Sequence, residues 1–215
     1  MPKVFLSAGH GGSDPGAVAN GLLEKTINLN TLLACMEVLE QHGVDVECSR
    51  LTDANDSVKN EVYEANTFKP DIAVSFHANA GGGDGFEAFY HSKNQDGKKF
   101  AELCEKHVKA LGQNSRGVKH GDNLYFIKYT SMTSVLVESF FVDNIEDKTI
   151  GDTVSKQRAL GEAYAKAILE YFGIKHEIKA PIYRVQVGAF NNRFNAEKEV
   201  RKLKKAGFDG FIVKG

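Results

Sequence analysis

Two hydrophobic patterns alternate along most of the chain. Short apolar or alternating runs indicate strands, which we predict at residues 4–6, 44–48, 72–76, 86–90, 124–127 and 135–141. Longer segments between them place apolar residues at helical spacing, which predicts helices at residues 22–43, 58–67, 97–111 and 154–172. Because strands alternate with helices, the sequence predicts an α/β fold with a twisted, mostly parallel sheet flanked by helices on both faces.

The pattern changes after residue 173. Residues 174–181 show no clear period, and we interpret them as a linker. The segments that follow predict a strand, a helix and a strand, at residues 183–190, 196–206 and 211–213. We therefore expect a main domain at residues 1–173 and a small βαβ module at residues 182–215, too small to bury much core alone.

Composition excludes several classes of protein. Hydrophobic residues make up 42% of the 215 residues, which is enough for a real core. A net charge of −1 provides no bulk attraction to a polyanion, so we expect no nucleic-acid partner. No apolar run approaches the length of a membrane span, and the first residues lead straight into a strand. We therefore expect no membrane partner and no signal peptide, with synthesis in the cytoplasm.

The cysteines are odd in number and widely spaced. Cys35, Cys48 and Cys104 each lie in an apolar-patterned segment, and none forms a Cys-x-x-Cys pair. This usage is typical of buried free thiols.

A glycine-rich loop with a histidine follows the first predicted strand. His10 lies within residues 9–12 (Gly-His-Gly-Gly), where the glycines allow a tight turn and leave the imidazole accessible. His77 follows the third predicted strand, and Glu24 lies near the start of the first long helix. Parallel strands end at one edge of the sheet, where α/β proteins place their sites. Two histidines and a carboxylate are a ligand set of catalytic zinc, with one position left for water.

Each of these residues also has an ordinary interpretation. The loop around His10 could be a tight turn with a surface histidine. His77 could be a core histidine, and Glu24 could be an acid favoured by the helix dipole.

One carboxylate lies inside a strongly apolar predicted strand. Glu138 follows Val-Leu-Val and precedes Ser-Phe-Phe, and an unpaired buried carboxylate costs several kcal/mol. Next to a metal-bound water it could act as a general base and then protonate a leaving amine. The alternative is a structural glutamate paired with a lysine.

Five segments occur in an order that resembles a known family. The resemblance covers residues 3–173 and is to the zinc N-acetylmuramoyl-L-alanine amidases of bacterial autolysins and phage endolysins. The segments are 9–12 with Asp14 and Gly16, 20–24 with Asn28, 75–79, 116–119, and 135–138 with Asn144. The resemblance implies Zn²⁺ held by His10, Glu24 and His77, and Glu138 as the catalytic acid and base.

The chain departs from the family pattern at two positions. Ser7 stands where an aspartate is usual, and Glu61 stands where an arginine is usual. Neither matches a metal or catalytic position. Of the other polar residues, we expect Asn79 and His120 to bind substrate.

The implied reaction is hydrolysis of the amide between N-acetylmuramic acid and L-alanine in peptidoglycan. Two alternatives remain: another zinc peptidoglycan hydrolase, such as a stem-peptide peptidase, and a non-catalytic wall-binding protein. With no signal peptide expected, the protein would reach the wall through a phage holin or by lysis of a sporulating mother cell.

The end of the chain resembles the first half of a SPOR repeat, a module that binds peptidoglycan glycan strands. The resemblance rests on residues 183–190 with Ala196, Glu197, Gly207 and Phe208. It implies glycan contacts by Gln186, Phe190 and Arg193. Half a module exposes a sheet edge and an apolar helix face, so we expect a homodimer through this segment or poor order.

Overall fold

The computed structural model describes residues 1–176, 187–208, 210 and 212 of the chain. Backbone contacts divide the chain into two units, Met1–His176 and Glu177–Gly215. The strands of the described residues are β1 (Lys3–Ala8), β2 (Val18–Ala19), β3 (Leu22–Leu23), β4 (Asp45–Cys48), β5 (Ile72–Asn79), β6 (Phe86–Tyr90), β7 (Ser115–His120) and β8 (Thr133–Phe141). The α-helices are α1 (Glu24–Gln41), α2 (Val58–Phe68), α3 (Gln95–Lys109), α4 (Tyr125–Tyr129), α5 (Val154–Tyr171) and α6 (Arg193–Lys205).

A six-stranded sheet forms the centre of the first unit, with the strand order β4, β1, β5, β8, β6, β7. The first four of these strands run parallel to one another, β6 runs antiparallel to β8, and β7 runs parallel to β6. Helices cover both faces of the sheet. The predicted α/β fold with a mostly parallel sheet is therefore confirmed.

The larger hydrophobic core lies beneath α1, α3 and α5. Helix α5 packs against both α1 and α3, and the side chains of Phe76, Phe100 and Tyr164 are fully buried there. The Tyr164 hydroxyl lies 2.8 Å from Ser139 Oγ, so the polar atom of this core tyrosine is hydrogen-bonded, as buried polar groups require.

On the opposite face of the sheet, apolar side chains give way to polar side chains along the strands. Under α2 and α4 its residues are apolar, with Phe5, Ala73 and Leu136 in a second core. Because side chains on one face repeat every second residue, the next positions on this face are all polar: Ser7, Ser75 and Glu138. The helices thus leave a polar strip at the strand ends.

A two-residue hairpin precedes the first helix. β2 and β3 pair antiparallel around Asn20 and Gly21, whose φ angles are +52° and +76°. Positive φ at both turn residues is the type I′ geometry that Asn-Gly adopts readily. Residues 22–23, predicted as helix, therefore belong to the hairpin, and Glu24 is the first residue of α1.

Two elements next to each other in sequence differ from the prediction. Residues 124–127, predicted as a strand, belong largely to the short helix α4, since a run of four apolar residues carries no period that separates strand from helix. Strand β7 was not predicted. It lies at the edge of the sheet, and its sequence (Ser-Arg-Gly-Val-Lys-His) lacks an apolar face.

The second unit contains α6, which begins three residues before the predicted helix. Asn192 caps it by accepting a hydrogen bond from Phe194 N at 2.8 Å. Residues 187–190, predicted as the end of a strand, have no regular structure. The rest of that predicted strand, residues 183–186, and most of the predicted strand at 211–213 lie outside the described residues.

The predicted thiol states agree with the structure in part. All three cysteines are free, with Cys35 and Cys104 buried and Cys48 partly exposed. Burial raises the pKa of the Cys104 thiol well above its usual range, which keeps it protonated and unreactive. Among the described helices, none combines the length and apolar character needed to cross a membrane.

Gly161 lies where α5 packs directly on α1. A Cβ atom there would lie 2.8 Å from Ala34 Cβ and 2.9 Å from Cys35 N, and it would overlap the Thr31 carbonyl oxygen. Alanine favours a helix over glycine by about 1 kcal/mol, but forcing the helices apart costs more. We expect Gly161→Ala to lower the free energy of unfolding by about 1–3 kcal/mol, measured as a lower urea midpoint at an unchanged slope.

The matched control for this substitution is Glu162→Ala, at the neighbouring exposed position. It should change the free energy of unfolding by less than about 0.5 kcal/mol. A Gly161→Ala protein with a wild-type midpoint would mean that α1 and α5 do not approach this closely.

Candidate metal centre and active site

The predicted metal ligands meet at the edge of the sheet where the parallel strands end. His10 lies two residues beyond β1, and Glu24 opens α1. His77 lies near the end of β5, directly opposite Glu138 of β8 in the register. The structure therefore brings together all four residues predicted to carry the chemistry.

His10 is held in an unusual backbone conformation by its loop. Its φ angle is +65°, a left-handed geometry that is uncommon for a residue with a side chain. The loop closes through paired backbone hydrogen bonds between Gly11 and Asp14 of 2.9 and 3.0 Å. Asp14 Oδ2 also lies 2.8 Å from His10 Nδ1. This contact orients the ring and leaves Nε2 pointing to Glu24 Oε2, 3.3 Å away.

Glu24 is the centre of the ligand set. Its side chain is 7% exposed, and its Oε1 lies 2.9 Å from His77 Nδ1. Three backbone or side-chain donors hold the carboxylate in place: Ala17 N at 2.8 Å, Ala78 N at 3.2 Å and Asn28 Nδ2 at 3.4 Å.

The geometry of this cluster fits a small divalent cation. The potential ligand atoms of His10, Glu24 and His77 all lie within 4.8 Å of one another. Ligands at 2.0–2.1 Å from a tetrahedral zinc ion are about 3.4 Å apart, which matches the 3.3 Å between His10 Nε2 and Glu24 Oε2. Two imidazoles and one carboxylate also leave a fourth position free, as a catalytic zinc site requires.

The three side chains perturb one another's ionisation. The hydrogen bond with Glu24 raises the pKa of His10 to about 9. Burial opposes the ionisation of Glu24, but the hydrogen bonds with both histidines hold the pKa of its carboxyl well below the usual range. Burial likewise opposes the protonation of His77, and the charges of Glu24 and Glu138 still raise its pKa. The carboxylates around the two imidazoles thus favour positive charge at this position.

Two glycines are required by the closeness of the ligands. A Cβ atom at Gly9 would overlap the His77 imidazole, and one at Gly16 would lie 2.6 Å from Glu24 Oε2 and 2.7 Å from His10 Cδ2. Besides allowing a tight turn, these glycines therefore leave room for the ligand side chains themselves.

Glu138 has an environment unlike that of the other carboxylates. Its Oε2 is inaccessible to solvent and has no hydrogen-bond partner among the described residues. Burial raises the pKa of its carboxyl to about 7, and the nearby His77 charge limits the rise. A carboxyl group that titrates near neutral pH is suited to both accept and donate a proton.

The sequence pattern did not reveal one supporting residue, Arg50. Its guanidinium donates to the carbonyl oxygens of Ala8 at 3.0 Å, Gly9 at 3.4 Å and Lys25 at 2.7 Å. Arg50 thus ties the His10 loop to α1. The signal available in the sequence was an arginine two residues after β4, and the sequence showed no partner for it.

The two departures from the family pattern are neighbours in space. Ser7 on β1 and Glu61 on α2 are both buried. Burial raises the pKa of the Glu61 carboxyl, and the adjacent Ser7 hydroxyl opposes the rise.

The residues predicted to bind substrate are scattered. Asn79 lies at the site, where its Nδ2 donates to Glu87 Oε2 at 3.2 Å. His120 pairs with Tyr90, which pairs with Val135, three residues before Glu138, so the structure does not bring it to the metal ligands.

The predicted glycan contacts belong to the second unit. Phe190 is 45% exposed, and Arg193 pairs with Glu197 at 2.9 Å. Gln186 lies outside the described residues.

Two known families match the chain. The family model for N-acetylmuramoyl-L-alanine amidase matches residues 4–170, and the SPOR domain model matches residues 155–214. The two matches overlap within α5.

Relatives with known names cover most of the chain. The Bacillus subtilis sporulation-specific N-acetylmuramoyl-L-alanine amidase is 33% identical over 217 residues, covering 99% of this chain and 85% of that protein. The endolysin of Bacillus phage SPP1 is 34% identical over 181 residues, covering 80% of this chain and 66% of the endolysin.

A solved structure supports the same assignment. The catalytic domain of CwlV, an N-acetylmuramoyl-L-alanine amidase from Bacillus (Paenibacillus) polymyxa var. colistinus, matches with a TM-score of 0.75 and 31% identity. The match covers 81% of this chain and 100% of that domain. Since the family model spans most of the chain and the first unit carries the fold of a solved amidase, the chain belongs to the N-acetylmuramoyl-L-alanine amidase family.

Proposed function

We propose that His10, Glu24 and His77 hold a zinc ion, and that Glu138 is the catalytic acid and base. The reaction is hydrolysis of the amide that joins the lactyl group of N-acetylmuramic acid to L-alanine in peptidoglycan. The observation that carries this proposal is the buried, unpartnered Oε2 of Glu138 on the strand next to a three-residue ligand set.

Zinc bound at this site supplies a Lewis acid that polarises the scissile carbonyl and lowers the pKa of a water molecule. Asp14 supports that role by holding Nδ1 of His10, since a second hydrogen bond fixes the orientation of a ligating imidazole. Asn28 has a similar function, because its Nδ2 bridges Glu24 and the Gly9 carbonyl oxygen at 3.0 Å.

Glu138 moves the proton. Its carboxylate accepts a proton from the attacking water and then donates it to the nitrogen of the departing L-alanine. A pKa near 7 serves both steps, because the group must be a base before the attack and an acid after it.

The alternative functions receive less support. A wall-binding protein has no use for a buried carboxyl without a partner. A stem-peptide peptidase shares the chemistry, but the matching family model and the sporulation-specific relative are both named as amidases.

We expect Glu138→Gln to lower turnover of purified cell wall by about 10²–10⁴-fold, the usual contribution of general acid–base catalysis. The amide cannot accept the proton, yet it lies outside the ligand set, so one equivalent of zinc should remain bound. Product mass spectrometry would measure new L-alanine amino termini, and metal analysis would measure zinc. Glu146→Gln, at an exposed glutamate, is the control. Full activity of Glu138→Gln would exclude the assigned role.

We expect Gly9→Ala to weaken zinc binding by about 10–100-fold, the range seen when the support of a ligand is disturbed. The new methyl group would displace the His77 imidazole while the backbone stays unstrained. Competition with a chromogenic chelator would measure the affinity. Gly97→Ala, a glycine in α3 far from the ligands, is the control. Equal affinities for the two variants would contradict the assigned role of His77.

We also propose that the second unit binds glycan strands through Gln186, Phe190 and Arg193 and so holds the enzyme on them. We propose further that this unit pairs with the same unit in a second copy of the chain. Exposed Phe194 and Phe208 offer apolar surface for such a pairing. Release from the producing cell would follow holin action or mother-cell lysis, consistent with the phage and sporulation relatives.

A Phe190→Ala substitution in the inactive Glu138→Gln background should reduce co-sedimentation with intact peptidoglycan, because an exposed aromatic ring is lost.

Light scattering of the full chain should give twice the mass of one copy. A monomer, or unchanged co-sedimentation, would refute the corresponding half of this proposal.

A further inference from the structure

A charged cluster lies on the far side of Glu138 from the metal ligands. Glu87 of β6 pairs directly with Glu138 in the register and is 6% exposed. Its Oε1 accepts hydrogen bonds from Arg116 Nε and from Lys119 Nζ, the latter at 2.5 Å. Its Oε2 accepts one from Asn79 Nδ2 at 3.2 Å.

The cluster carries a net positive charge. Two cations share one carboxylate, and hydrogen bonding lowers the pKa of Glu87 against the opposing effect of burial. The side chains of Arg116 and Lys119 are 45% and 38% exposed. Each uses one donor in the hydrogen bonds found among the described residues, which leaves their other N–H groups available to a ligand. The Arg116 guanidinium also lies 5.4 Å from the Phe141 ring centre, which restrains it.

The strand order indicates which part of a substrate lies over this cluster. The metal ligands lie at β1 and β5, Glu138 lies on β8, and the cluster lies on β6 and β7. A general acid must lie on the side of the leaving group, and the leaving amine is the first nitrogen of the stem peptide. The peptide therefore extends from Glu138 over β6 and β7, and the glycan extends the other way.

The distances suit a carboxylate near the start of the stem peptide. Neighbouring strands lie about 4.8 Å apart, so β6 and β7 are about 5 and 10 Å beyond Glu138. An extended peptide covers that distance in two or three residues at about 3.4 Å each.

We propose that Arg116 and Lys119 form a carboxylate-binding subsite that recognises the stem peptide of the substrate. Buried Glu87 holds the Arg116 guanidinium through Nε and the Lys119 ammonium through one N–H, so their other N–H groups meet the carboxylate already oriented. This inference rests on the proposed function of Glu138, since that residue sets the direction in which the peptide leaves.

The experiment compares two synthetic muramoyl peptides that differ in one group. One carries a free carboxylate on the second residue of the peptide, and the other carries the carboxamide there. For Arg116→Gln and for Lys119→Gln we expect KM for the carboxylate substrate to rise about tenfold, as for a lost charge-assisted hydrogen bond. The carboxamide substrate should change less than about twofold, and kcat should be largely preserved for both.

Arg158→Gln is the matched control, because Arg158 is 43% exposed and pairs with Glu37 on other elements. It should leave both substrates unchanged. If Arg116 and Lys119 served only to neutralise Glu87 beside Glu138, both substrates would lose kcat equally, and the subsite would be refuted.

The same experiment shows separately whether the proposed reaction or the proposed subsite is wrong. If the wild-type protein cleaves neither muramoyl peptide at the lactyl amide, the assigned reaction is wrong. If it cleaves both and the Arg116 and Lys119 variants do not discriminate between carboxylate and carboxamide, the subsite alone is wrong.

Discussion

The proposed active site depends on one buried carboxylate, Glu24, which bridges His10 and His77. A charge at 5% exposure is tolerated only when it is paired and hydrogen-bonded. The local structure provides for this: the hairpin at residues 18–23 sets the start of α1, and the N–H group of Ala17 binds the carboxylate at 2.8 Å. Gly9 and Gly16 have no side chain because the three ligands already fill that space. The same local fold that buries Glu24 thus also sets the geometry of the proposed ligand set.

The sheet places further polar side chains beside this site, at the ends of four strands. Along a single face, apolar residues beneath α2 and α4 give way to polar residues at the strand ends. The alternation of strand side chains therefore places His77, Glu138 and Glu87 side by side above a packed base. A rigid base of this kind holds reacting groups in place more accurately than a loop does. His10 is the exception, and it lies on a loop that Arg50 and Asp14 fasten.

The sequence predicts those site residues that lie next to an element with a clear hydrophobic pattern. His10, His77 and Glu138 each follow or occupy a recognisable apolar strand, and Glu24 opens a clear helix, so their meeting follows from parallel topology alone. Glu87 and His120 depend on β6 and β7, which run against the other strands. The sequence does not show that reversal: β7 is too polar to be recognised as a strand, and its direction places His120 at the far end of the sheet. Arg116 and Lys119 belong to a segment of the family pattern, but their place beside Glu87 could not be predicted for the same reason.

The two departures from the family pattern concern one pair of neighbouring buried residues, Ser7 and Glu61. An aspartate and an arginine at these positions would sum to zero charge. Ser7 is uncharged, and burial shifts Glu61 toward its neutral form by raising its pKa. Since Glu61 lies close enough to His77 and His10 to interact with their charges, an ionised Glu61 without a partner would add negative charge beneath the ligands. Burial of Glu61 opposes its ionisation and therefore limits the negative charge that this carboxyl adds beneath His10 and His77.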